Sequence, residues 1–91
     1  MSFHALIVDD SSAMRAFVRA SLEDADFARV DEAETGFEAL RLLASNTFDV
    51  VIVDVNMPDI NGLELLAFMK KSPRQQAARR ILISTQVDGP D

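Results

Sequence analysis

Asp54 is a carboxylate placed for chemistry. It closes the apolar, β-branched run Val50-Val51-Ile52-Val53, and a loop bearing Pro58 and Gly62 follows at once. A run of that composition predicts a strand buried on both faces. A carboxylate at the C-terminal end of such a strand stands where open α/β sheets place their ligands. Asp9 and Asp10 close a similar run, Ala5-Leu6-Ile7-Val8. Two buried-type strands that both end in aspartate predict one acidic pocket built from distant parts of the chain. Three carboxylates converging there would repel one another, which is a reason to expect a cation.

The rest of the chain must form the frame that brings those strand ends together. Ser11 and Ser12 are good N-cap residues for a helix over Ala13–Asp24. Its Met14, Phe17, Val18 and Leu22 fall on helical spacing and are expected inward, with Arg15, Arg19 and Glu23 facing away. A weaker strand near Arg29–Ala33 is acidic, which predicts a place close to the sheet edge. Gly36 precedes a helix over Phe37–Ala44, with Ala39, Leu40 and Leu43 inward and Asn46 as its stop. The strand Val50–Val53 and the loop Val55–Asn61 lead to a helix over Leu63–Lys71. Leu63, Leu66 and Met69 are expected on its core side, and Ser72-Pro73 ends it. Arg80 leads into a fourth strand, Ile81-Leu82-Ile83, ending in Ser84-Thr85, and Val87–Asp91 reads as a loop. Strands alternating with helices predict a parallel α/β sheet with right-handed crossovers.

Composition narrows the function classes. A chain of 91 residues, 48% apolar, supports one small domain with a real core. Net charge is −6, from 15 acidic and 9 basic residues, which argues against nonspecific nucleic-acid binding by this segment. The absence of cysteine rules out disulfides and Cys-ligated zinc and is compatible with a reducing cytoplasm. No apolar stretch approaches the roughly 20 residues of a membrane span. No basic segment precedes the first strand, so a signal peptide is not expected.

Three motifs together resemble the receiver domain of bacterial response regulators, and the single-domain chemotaxis type above all. They are Leu6-Ile7-Val8-Asp9-Asp10-Ser11-Ser12-Ala13-Met14-Arg15, Glu32-Ala33-Glu34-Thr35-Gly36-Phe37-Glu38-Ala39-Leu40, and Asp54-Val55-Asn56-Met57-Pro58-Asp59-Ile60-Asn61-Gly62-Leu63-Glu64-Leu65-Leu66. The resemblance runs the length of the chain in order. It implies a flavodoxin-like sheet with strands ordered 2-1-3-4 here. It implies that Asp54 accepts a phosphoryl group from a sensor histidine kinase and that the new charge switches a surface read by an output domain or effector. It implies a Mg²⁺ ion, with Mn²⁺ as the alternative, held by Asp10 directly, Asp9 mainly through water, the Asp54 carboxylate and the Asn56 backbone carbonyl. Ser84 matches the hydroxyl that bonds the phosphoryl group, with Thr85 as the fallback. Asn56 and Gln86 match positions that tune dephosphorylation. The implied activity is self-phosphorylation and self-dephosphorylation at Asp54 rather than conventional turnover.

The chain departs from the family after the fourth strand. The family's fifth strand, its terminal lysine and its last helices have no counterpart here, and Lys70 and Lys71 stand on the third helix instead. The chain therefore reads as a receiver truncated after strand four. A competing expectation is a Mg²⁺-binding assembly module that pairs the open fourth strand with a second copy as a homodimer. Other residues have plainer readings. Asp59 is expected as a solvated turn residue, His4 as structural or exposed, and Met14, Met57 and Met69 as packing. Arg74, Arg79 and Arg80 are expected in a solvated loop.

Overall fold

The computed structural model describes residues 3–25, 29–55, 57, 59–60 and 62–83. Along them run β1 (His4–Val8), α1 (Ser12–Asp24), β2 (Arg29–Ala33), α2 (Gly36–Ser45), β3 (Val50–Asp54), α3 (Gly62–Lys71), a 3-10 turn at Pro73–Gln75 and β4 (Arg79–Ile83). All the expected elements form. Ser11 caps α1 through its hydroxyl, which accepts from the Met14 amide at 3.2 Å, and Thr35 caps α2 in the same way.

The four strands are parallel in the order β2-β1-β3-β4. The chain steps from β1 outward to β2, then reverses past β1 to β3 and β4. Crossovers of one hand therefore put α1 on one face and α2 with α3 on the other. Side chains follow the strand period of two. Leu6, Val8, Val51 and Val53 pack with Ala39, Leu43, Leu65 and Met69. Ala5, Val50 and Ile52 pack on the opposite face with Val18 and Leu22 of α1, Val30 and Ile83. Each large apolar side chain buried this way contributes about 1.5–3 kcal/mol relative to exposure. The result is a flavodoxin-like sheet, with acidic β2 at one edge as its composition predicts. At the other edge β4 pairs with β3 alone among the described residues, and Ile81 and Leu82 are 47% and 42% exposed.

Val18 and Leu22 of α1 and Leu66 and Met69 of α3 pack inward as expected, while other positions on these two helices differ. In α1, Phe17 is 68% exposed, whereas Arg15 and Arg19 turn toward the sheet and bond Glu32 on β2. Apolar spacing shows where greasy residues lie; it does not register a half-buried carboxylate on the neighbouring strand that needs cations. In α3 the buried stripe is Gly62, Leu65 and Met69, and Leu63 points outward at 61% exposure. Gly62 sets that rotation. A Cβ there would lie 3.0 Å from the Asp54 carbonyl oxygen and 3.0 Å from the Val55 Cα, so any other residue would push the helix off the backbone that follows β3.

Four further positions differ from the sequence reading or sharpen it. Arg79 and Arg80 belong to β4 rather than to a loop, with Arg80 paired to Val51. His4 starts β1, and its Nε2 lies 2.7 Å from the Asp31 carboxylate while its ring packs against Phe48 at 4.4 Å with the planes tilted by 48°. Gln75 is fully buried. Its amide nitrogen donates to the Leu43 and Asn46 carbonyls and its oxygen accepts from the Phe48 amide, tying the 3-10 turn to the α2–β3 connection.

Candidate functional site

Strand register builds the site. Val8 of β1 lies beside Val53 of β3. The next residue on each chain is an aspartate, so Asp9 and Asp54 emerge side by side at the C-terminal ends of adjacent strands. This is the switch point, where the chain's crossovers change face and ligands enter doubly wound sheets. Asp10 joins them from the turn into α1. One carboxylate oxygen from each of Asp9, Asp10 and Asp54 lies within 4.8 Å of the others. Asp9 and Asp54 are fully buried, and Asp10 is exposed. The predicted convergence of the three acids is therefore what the fold produces.

The electrostatics are unfavourable by construction. Two like charges at roughly 5 Å repel by about 3 kcal/mol at an effective dielectric near 20. Burial pushes the Asp9 carboxyl above its ordinary 3.8; the Ser11 amide pulls it down, and the charges of Asp54 and Asp10 push it up again. The Ser11 N–H donates to Asp9 Oδ1 at 2.8 Å. Asp9 Oδ2 is buried with no hydrogen-bond partner among the described residues. A buried carboxylate with one unsatisfied oxygen, grouped with two more carboxylates, makes a donor set for a hard, oxygen-seeking cation. These residues fit Mg²⁺ by chemistry: all-oxygen, anionic and half open to solvent through Asp10.

The loop after Asp54 is tied down at its far side. Asp59 is not merely a solvated turn residue. Its two carboxylate oxygens accept from the Gly36 and Phe37 amides at 3.0 and 3.1 Å, stapling the loop to the start of α2. The Gly36 amide, first among these donors, holds the Asp59 carboxyl below its ordinary 3.8. Met57 is buried as packing, as its type suggested. Nothing near Asp59 in sequence announces this role, because its partners lie on a different helix. Asn56, Ser84, Thr85 and Gln86, the other residues that the sequence nominates, lie outside the described residues.

The comparisons with known proteins agree with one another. The family profile described as the response regulator receiver domain matches residues 5–91. A chemotaxis protein CheY of Listeria monocytogenes is 44% identical over 69 residues, covering 75% of this chain and 58% of that protein. The chemotaxis response regulator CheY4 of Vibrio cholerae superimposes with a TM-score of 0.86 at 32% identity, over 97% of this chain and 72% of that one. The response regulator TrrA of Thermotoga maritima, solved in complex with Mg(2+)-BeF, gives a TM-score of 0.82 at 34% identity, over 94% of this chain and 71% of that one.

Proposed function

Since this chain belongs to the response regulator receiver domain family, we propose that it accepts a phosphoryl group on Asp54 from the phosphohistidine of a sensor kinase. A carboxylate oxygen of Asp54 attacks phosphorus, the P–N bond breaks, and the imidazole leaves with a proton, giving an acyl phosphate. Asp9, Asp10 and Asp54, with the Asn56 backbone carbonyl, are the residues that would hold Mg²⁺. Bound there, the ion supplies positive charge against the phosphoryl oxygens, and Mn²⁺ suits the same oxygen donors. Ser84, or failing it Thr85, is the hydroxyl proposed to bond the phosphoryl group. The added charge then biases a surface read by an output domain or effector. This reading puts the chain in the cytoplasm; among the described residues no helix is long and apolar enough to cross a membrane.

The observation that carries this reading is the union of buried Asp54 with Asp9 and Asp10 at the switch point. The Mg(2+)-BeF complex of the similar TrrA supports carrying the chemistry over. The test is incubation with phosphoramidate and Mg²⁺, read by intact mass. One phosphoryl group is expected on the wild type and none on Asp54→Asn. An unmodified wild type that still binds Mg²⁺ would favour the second reading, a non-switching module that self-associates. The exposed Ile81 and Leu82 on the β4 edge support that alternative. Light scattering separates it: concentration-dependent dimers, dispersed by Ile81→Lys, are its signature.

A further inference from the structure

Asp9 is held from three sides. Its N–H donates to the Ala33 carbonyl at 3.1 Å, its Oδ1 accepts from Ser11, and its own carbonyl accepts from Arg15 Nη1 at 2.5 Å. The same guanidinium donates through Nε to Glu32 Oε1 at 2.9 Å. Arg19 donates to the other Glu32 oxygen at 2.6 Å and to the Val30 carbonyl at 2.8 Å, without touching Asp9. Only Asp9 Oδ2 is left over, buried and without a hydrogen bond, on a residue whose carboxylate belongs to the acid cluster.

We infer that Arg15 and Glu32 are positioning residues of the cation site: Glu32 fixes the Arg15 fork, and Arg15 fixes the Asp9 backbone so that Oδ2 is presented to a metal ion. This rests on the reading above that the three aspartates bind Mg²⁺. A ligand whose orientation is set before binding loses less freedom on binding, so the support contributes to affinity. The geometry matters because the net charge effect runs the other way. Arg15 is a cation near a cation site, so its charge alone opposes Mg²⁺, and deleting it on Coulombic grounds should tighten binding. Positioning predicts the reverse sign.

The experiment is calorimetric titration of Mg²⁺ into the metal-free chain at fixed ionic strength, with thermal unfolding of each variant in chelator. Arg15→Met is expected to weaken Mg²⁺ about tenfold, and Arg15→Lys, which reaches only one of the two acceptors, by less. Arg19→Met is expected to lower Tm while leaving Kd within about twofold, because it supports Glu32 but not Asp9. A merely structural Arg15 would make Kd follow Tm across all three variants, which would overturn the inference. So would an Arg15→Met chain that binds Mg²⁺ as tightly as the wild type or more so. If Arg15→Met does not fold, Arg15→Lys carries the test, and an unchanged Kd there overturns it. A wild type without saturable Mg²⁺ binding would remove both this inference and the functional reading. Intact wild-type binding with an unchanged Arg15 variant would remove this inference alone.

Discussion

At the scale of single residues, the site exchanges stability for charge. Asp9 is a buried acid whose carboxyl is pushed up first by loss of water and then by its acidic neighbours. Asp9→Asn removes that conflict: the amide oxygen can keep the Ser11 bond, and the new NH₂ can donate into the cluster. Its expected effect without Mg²⁺ is a stabilisation of about 1 kcal/mol, or a Tm higher by roughly 4–8 °C, read by thermal unfolding in chelator. A lower Tm would mean that the cluster is not strained. Glu32 has the opposite sign. Arg19 foremost, with Arg15, holds its carboxyl below its ordinary 4.5. Its contribution is fully present above that value and is lost as pH falls through the depressed native one. Glu32→Gln should therefore cost about 1–2 kcal/mol at neutral pH, with the gap to wild type closing below about pH 4.5. Urea unfolding across pH checks this, and a gap that stays constant into acid would contradict it. Asp9, Asp10 and Asp54 were legible in the sequence because each ends an apolar run. Arg15, Glu32, Asp59 and Gln75 were not, because each acts on a partner remote along the chain.

At the scale of elements, strands were easier to read than helix faces. A buried strand announces itself by an unbroken apolar run, and β1 and β3 have no room for ambiguity. A helix announces its apolar residues, but its rotation is settled by the tightest contact it makes. Gly62 against β3 turned Leu63 outward, and Glu32 turned Arg15 and Arg19 inward. Gly36 makes a contact of the same kind: a Cβ there would meet the Ile60 Cβ at 2.6 Å and the Ile60 carbonyl oxygen at 3.1 Å. Alanine normally improves a helix position by about 0.5–1 kcal/mol over glycine. Here the obstacle is Ile60 next to its own backbone, which cannot swing aside, so Gly36→Ala is expected to destabilise by about 1–3 kcal/mol. A neutral or stabilising result would mean that the loop beyond Asp59 yields freely. Gln75→Leu keeps the volume but strands the Phe48 amide and the Leu43 and Asn46 carbonyls. It should cost about 1–3 kcal/mol in urea unfolding while leaving Mg²⁺ affinity unchanged, since none of these groups reaches the acid cluster.

At the scale of the whole molecule, alternation of strands and helices predicted a parallel sheet, while the order 2-1-3-4 was an expectation of the family resemblance, and that order makes one site out of residues far apart in sequence. It also makes the site a reporter on the fold, because the three carboxylates converge only when β1 and β3 are in register. A cation that binds the folded pocket and not the unfolded chain must therefore stabilise the whole domain. At about 100 times its Kd the gain is about 2.7 kcal/mol. For a domain of this size each kcal/mol moves Tm by roughly 4–8 °C. The chain also carries a net charge of −6, so any salt will relieve some repulsion between exposed acids. That effect is screening, and it reaches the buried Asp9–Asp54 pair poorly. The expected outcome is a Tm that rises with Mg²⁺ well beyond the rise in NaCl of matched ionic strength, with most of the excess lost in Asp54→Asn. If NaCl reproduced the full rise, the stabilisation would belong to the acidic surface, and the three buried and half-open carboxylates would be a charge cluster rather than a metal site.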